Sequence, residues 1–200
     1  MVCSMLLLNH KAIKEFARIV SNLRIPIDDF TNPDYFPPKH MDDELVARYF
    51  FFMTAIDHRT STPEKPFEGY IDGKFFHGAD ALYKLGISMF DKDPDFFSPE
   101  NMARISNNNV KKWLMMTEPA HVTIRDPEVR AFLLRDAGRK LLRLYGGSVL
   151  DIISQADNYL YRPPEGGLIE RLKVFRAYED PVEKKAFLLA KFLERRGILH

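Results

Sequence analysis

The chain has 200 residues, enough for one compact domain with a sizeable core. A net charge of +1 provides no global field that demands nucleic acid, so a non-specific DNA binder is disfavoured and only local patches stay open. The lone cysteine, Cys3, excludes an internal disulfide and a cysteine-based metal cluster.

Hydrophobic residues make up 46% and charged residues 28%, as in ordinary globular chains, but Phe is over-used at 16 residues. The opening MVCSMLLLNHK carries an apolar run too short to cross a bilayer, with no basic stretch ahead of it. It reads as the start of a first helix, Met5 to Leu23, with a stripe of Leu8, Ala12, Ile13, Phe16, Ile19 and Val20. No membrane association is expected, and a cytoplasmic location follows by default.

The segment from Ile25 to about Lys39 is rich in proline and aromatic residues, so it is expected to lie over the core, anchored by Phe30, Tyr35 and Phe36. A helix begins near Asp42. Its apolar residues Leu45, Val46, Tyr49, Phe50, Met53 and Ile56 are widened by Phe51 and Phe52, which predicts a central helix packed on several sides. Glycines and prolines break the period from Asp57 to Gly78, with a short hairpin expected between Tyr70 and Phe76 around Asp72-Gly73. The helical period resumes near Ala79.

Ser98-Pro99 opens a short helix, Asn107 to Asn109 mark a turn, and Val110 to Met116 carry the single Trp113 on another helix. Asp126-Pro127 opens a long helix to about Tyr145, with a predicted inner stripe of Val129, Phe132, Leu133, Ala137, Leu141 and Leu144. Gly146-Gly147 stops it, and Ser148 with Asp151 caps the next. Helix-like spacing returns from Leu168 to Tyr178. Asp180, Pro181 and Glu183 form the capping signal of a last helix, with Phe187, Leu188 and Phe192 near one stripe and Gly197 as its stop. The expectation is an all-α, compact multi-helix domain over residues 1–200, with at most a minor hairpin.

Polar groups gather where the backbone is irregular. Asp57, His58, Arg59 and Thr60 follow the most apolar helix, and Glu68, Asp72, His77 and Asp80 lie close behind in sequence. Helix-end capping and ion pairing account for the same residue types. Lys184 and Lys185 sit in the first turn of the last helix, where cations are disfavoured, directly after Tyr178, Glu179 and Asp180. Either this small local cost is borne without a function or one lysine meets an anionic ligand, which makes the cluster a second candidate site rim. No histidine pair has metal-binding spacing, and a cluster of His58, His77 and Asp80 has no motif behind it, so no metal or cofactor is expected. Gly146-Gly147-Ser148 explains a helix stop and start, and the helix N-terminus after it is a place for an anion.

Several stretches resemble the queuosine salvage protein family. Asp72-Gly73-Lys74-Phe75-Phe76-His77-Gly78 is similar to the family's G-K-x-Y-x-G segment at the start of a helix. DPDFFSPENMARISNNNVKKWL is similar to its stretch of proline, paired aromatics and a short helix. VRAFLLRDAGRKLLRLYGGSVLDIISQADN resembles its long helix, K-x-G-G-S-F-L and polar helix, and DPVEKKAFLLAKFL its F-Y-K-R-A-Q-x-L-x-A-D segment. The likeness runs over about residues 41–199.

The resemblance implies a helical architecture related to helix-hairpin-helix DNA glycosylases, here without its last helices. It also implies hydrolysis of the N-glycosidic bond of a nucleotide such as queuosine 5′-phosphate. Such chemistry needs a carboxylate against an oxocarbenium-like sugar, a stacking slot and cations for phosphate. The family's catalytic aspartate lies in a segment beyond its last matched helix, and this sequence reaches His200 without one. Asp57, Asp72, Asp80 and Asp180 are the candidate replacements. His58, His77, Phe75, Phe76, Lys184 and Lys185 are the candidate substrate contacts, with Phe50 to Phe52 and Trp113 as further aromatic material expected mostly in the core. The alternatives are a truncated or inactive relative that binds a nucleobase or nucleotide, a structural or interaction protein, and a DNA base-excision glycosylase. The partner expected is a small nucleoside or nucleotide; nucleic acid is disfavoured, and a homodimer stays open.

Overall fold

The structure, a computed structural model, describes residues 9–23, 28–157, 159–164, 166–179 and 181–199. Among these, nine α-helices and one two-stranded hairpin form in the order α1 (His10–Ser21), α2 (Asp43–Ile56), β1 (Glu68–Ile71), β2 (Lys74–His77), α3 (Gly78–Lys92), α4 (Pro99–Arg104), α5 (Asn107–Trp113), α6 (Pro127–Tyr145), α7 (Val149–Gln155), α8 (Leu168–Leu172) and α9 (Val182–Arg195). Single turns of 3₁₀ helix, Pro94–Phe97 and Arg176–Tyr178, bridge α3 to α4 and α8 to α9. The all-helical expectation with a minor hairpin matches this architecture. The start of the first helix through Leu8, and the cap at Asp180, fall outside the described residues.

α2 is the axis of the fold. From Val46 to Ile56 every residue except Arg48 is buried, so the helix has neighbours on all sides. Three groups of aromatic rings surround it. Phe50 stacks on Phe192 of α9, which also meets Phe30 and Phe36 of the proline-rich segment. Tyr49 meets Phe90 and Phe97, and Phe97 meets Trp113. Phe51 stacks on Tyr178 and meets Phe175. Most of the phenylalanines are therefore core, held by edge-to-face and offset contacts.

The proline-rich segment is fixed by hydrogen bonds as well as rings. Arg196, just past α9, donates to the carbonyls of Phe30, Pro37 and Pro38. The Tyr49 hydroxyl donates to the Tyr35 carbonyl at 2.5 Å. Gly197 (φ 74°) turns the chain after α9, and the Ile198 N–H returns to the Leu193 carbonyl in a C-terminal capping motif.

The hairpin has Ile71 opposite Lys74 across Asp72-Gly73, both with positive φ, the pattern of a type I′ turn. The Tyr70 N–H donates to the Glu118 carbonyl, joining β1 to the loop before α6.

α6 departs from expectation. Its inner face is Arg130, Ala131, Leu134, Ala137, Gly138, Leu141 and Tyr145, while Val129, Phe132 and Leu144 are exposed. Close approach to α4 decides the rotation. A Cβ on Gly138 would lie 2.5 Å from the Ala103 nitrogen and 2.7 Å from the Pro99 carbonyl oxygen. Only glycine at position 138 admits α4 so near. Asp126 is also not a side-chain cap: it takes a left-handed φ of 50°, and its carboxylate accepts from Arg125 Nε at 3.0 Å.

Other shifts are smaller. Asn107 to Asn109 form the first turn of α5 instead of a separate turn, with the Ser106 hydroxyl accepting from the Asn109 N–H. The Leu168 to Tyr178 stretch breaks after Leu172. In α9 Phe187 is exposed, and Lys185 takes an inward position. α1 is amphipathic as read, but its residues Ile13, Phe16 and Ile19 are exposed.

Gly138→Ala should lower unfolding stability by about 1–3 kcal/mol, because the new methyl meets backbone atoms that cannot swing aside. Gly86→Ala should cost less, since the nearest atoms at Gly86 belong to the flexible Met53 side chain. Urea unfolding followed by Trp113 emission measures both; an equal or smaller cost at Gly138 contradicts this account of the α4–α6 crossing.

Candidate functional site

The site grows from the C-terminal end of α2. A helix end leaves carbonyls without intrahelical partners and carries partial negative charge. Here that end is buried, so water does not serve it. Lys185 of α9 brings its ammonium to the Ala55 carbonyl at 2.9 Å and also donates to the Ala177 carbonyl. Arg130 of α6 donates to the carbonyls of His58 and Arg59, and to that of Arg125 at 2.6 Å. Both cations are buried.

Asp57 is the first residue past α2, and its carboxylate accepts from the Tyr83 hydroxyl at 3.3 Å. Burial pushes the Asp57 carboxyl above its ordinary range. The Tyr83 hydrogen bond and the charges of Lys185, Lys184 and Arg130 pull in the other direction without cancelling it. His58 Nδ1 lies 3.4 Å from Lys185 Nζ. Burial, then the positive charges of Lys185, Arg130 and Arg59, hold its pKa down to about 4, so the ring is neutral near pH 7. An ammonium beside Nδ1 favours the tautomer with the proton on Nε2. Arg59 adopts a left-handed φ of 43°, turning the chain away from the helix end.

Asp57, His58 and Arg59 form one side of a cleft of about 530 Å³. Its other walls are Leu133 of α6, Arg176 and Ala177 of the 3₁₀ turn, and Pro181, Lys184, Lys185 and Leu188 at the start of α9. Asp57 is the sole carboxylate among the described lining residues, against Arg59, Arg176, Lys184 and Lys185. The cleft thus offers one desolvated acid, one neutral imidazole and a cationic rim suited to an anion.

Of the residues singled out in the sequence, the fold gathers Asp57, His58, Lys184 and Lys185 here. It leaves the others elsewhere. Asp72 is exposed at the hairpin turn, 4.0 Å from Lys84 Nζ. His77 and Asp80 are exposed at the start of α3. Phe76 is in the core, whereas Phe75 is exposed beside Tyr70 on the wall of a separate cleft of about 980 Å³. Asp180 lies outside the described residues. Phe50 to Phe52 and Trp113 are core residues.

Arg130 is the component that sequence reasoning missed. Its signal was present: it stands in register with Leu134, Ala137 and Leu141, an arginine on an otherwise apolar period. The anion position before α7 is filled from within the protein. The Glu44 carboxylate accepts from the N–H groups of Val149 and Leu150 at 2.8 and 3.0 Å and from the Ser148 hydroxyl. Arg48 then ties Glu44 to the Gly147 carbonyl. Among the described residues no group of three His, Cys, Asp or Glu side chains is placed to hold a metal ion, and no helix is long and apolar enough to cross a membrane.

No protein-family model and no curated protein matches the chain.

The lowered His58 pKa makes a signed prediction. The unfolded chain takes up a proton at this ring near pH 6.5, while the folded one waits until about 4. Its contribution to stability is therefore complete above pH 6.5 and is lost as pH falls to about 4. Asp57, with a raised pKa, works in the opposite sense and favours the fold at low pH. His58→Asn should lose less in melting temperature than the parent between those two pH values, and Asp57→Asn should gain stability at neutral pH. Thermal melts across pH measure both; parallel curves for parent and His58→Asn count against a buried neutral imidazole.

Proposed function

We propose that the α2–α9 cleft hydrolyses the N-glycosidic bond of a nucleotide, with Asp57 as the carboxylate and the cationic rim as the phosphate seat. The observation that carries this reading is Asp57 itself, a desolvated acid at a cleft whose other charged residues, among the described ones, are cations. The resemblance to queuosine salvage proteins names the class, a modified nucleoside 5′-phosphate of the queuosine type. The reaction would then take place in the cytoplasm on a small-molecule substrate.

In the proposed step the C1′–N bond breaks and its electron pair leaves with the base. The Asp57 carboxylate stabilises the positive sugar and accepts a proton from water as the oxygen joins C1′. That proton then passes to the departing base, so water is consumed and a free sugar phosphate and base result. The His58 Nε2–H is a neutral donor for the leaving group or an adjoining hydroxyl. Lys184 and Arg176, the more exposed cations, receive the phosphate, whereas Lys185 is committed to the helix carbonyls.

One feature favours a second reading. No Phe, Tyr or Trp ring is among the described residues of this cleft, whose apolar walls are Leu133, Ala177, Pro181 and Leu188. A cleft that holds an anionic nucleotide without turnover needs the cations but no stacked base.

Release of free base from a nucleoside 5′-phosphate, followed by chromatography, separates the two. Asp57→Asn should lower kcat by about 10²-fold or more. Lys184→Ala should raise KM for the phosphorylated substrate and leave that for the bare nucleoside unchanged. Turnover in Asp57→Asn at the parent rate would falsify the assignment. Nucleotide binding by the parent with no base released supports the second reading.

A further inference from the structure

The outward rotation of α6 creates a surface that the cleft does not explain. Phe132 is 52% exposed on this helix, where the apolar period leads one to expect a core residue. Around it lie Arg135, Asp136, Arg139, Lys140 and Arg143, lining a shallow concavity of about 260 Å³. Positions 132, 135, 136, 139, 140 and 143 recur at helical spacing, so they form one stripe along about 16 Å of the helix.

This stripe holds four cations and one carboxylate, in a chain whose overall charge is only +1. The carboxylate is already engaged: Asp136 accepts from Lys140 at 2.8 Å and from the Arg176 N–H at 2.9 Å. Arg135 is anchored on the Ile105 carbonyl and Asn107. Arg139 and Arg143 have no ion-pair partner among the described residues, and their guanidinium groups face outward with the ring.

We propose that this α6 stripe binds single-stranded nucleic acid, with Arg139 and Arg143 on successive phosphates and one base stacked on Phe132. A planar ring set among guanidinium groups is the combination that single strands use, because an unpaired base exposes the face that a duplex hides. A bilayer surface fits less well: it calls for a continuous apolar strip, and here the exposed Val129, Phe132 and Leu144 are interrupted by Arg135, Asp136, Arg139, Lys140 and Arg143. The length of the stripe suits a few nucleotides. It also abuts the cleft, since Leu133 lines that cavity next in sequence to Phe132, and Arg176 belongs to the cleft and touches Asp136. The binding surface stands on α6 alone and does not depend on hydrolysis in the cleft.

The test is fluorescence anisotropy of labelled oligothymidylate and oligouridylate, each about 12 nucleotides long, titrated with the whole chain at several salt concentrations. Binding should weaken as salt rises. Arg139→Gln/Arg143→Gln should lower affinity at low salt about tenfold or more and flatten the log–log salt slope by about 1.4, roughly 0.7 for each lost phosphate contact. Phe132→Ala should weaken binding about 5-fold or more without changing that slope. Arg139→Lys/Arg143→Lys should keep the salt slope. Trp113 emission and circular dichroism establish that each variant is folded, and these side chains lie on the surface. Oligonucleotide binding that is absent, or equal in parent and glutamine variants, overturns the proposal. So does binding to phosphatidylserine vesicles that the same variants abolish while oligonucleotide affinity is unmoved. Asp57→Asn should leave oligonucleotide affinity intact, so a silent cleft and a silent stripe are told apart.

Discussion

Burying the C-terminal end of α2 is the constraint from which the rest of the site follows. The carbonyls at that end need donors, and the last turn of the helix is buried. Lys185 of α9 serves the Ala55 carbonyl, and Arg130 of α6 serves the carbonyls of His58 and Arg59 just past the helix. Two cations are thereby placed in a low-dielectric interior beside Asp57 and His58. Their charge suppresses protonation of His58 and partly offsets the desolvation of Asp57. A structural requirement of the helix thus sets the electrostatics of the cleft.

The opposite solution appears at α7. There a helix N-terminus needs an acceptor, and Glu44 from the first turn of α2 provides its carboxylate. α2 therefore exchanges charge with its neighbours at both ends: it sends an acid to α7 and receives cations from α6 and α9. The aromatic packing along its length supplies the bulk of the burial. The charged contacts at the ends fix how the neighbouring helices are placed in register.

The rotation of α6 joins the core to the outer surface. Gly138 faces α4 because a larger group there would collide with its backbone. That choice turns Arg130 inward, toward the α2 terminus, and turns Phe132 outward among Arg135, Arg139 and Arg143. One close helix crossing accounts both for a buried cation in the cleft and for an aromatic ring on a basic face.

The sequence by itself determined the helical character, the hairpin at Asp72-Gly73 and the central place of α2, because these rest on local spacing and turn chemistry. It also pointed to the stretch after α2 and to Lys184-Lys185, where charges interrupt well-punctuated helices. Only the tertiary structure decided that those two stretches meet, and that Asp72, His77 and Asp80 stay on the surface. It also decided that Arg130 completes the group and that Glu44 fills the anion position before Ser148. The reason is physical: a period shows that a helix has an inner face, but the partner that buries it comes from a remote part of the chain. On α6 the apolar residues Val129 and Phe132 favoured one face, while the steric demand of α4 at Gly138 selected another, and no local pattern records that demand.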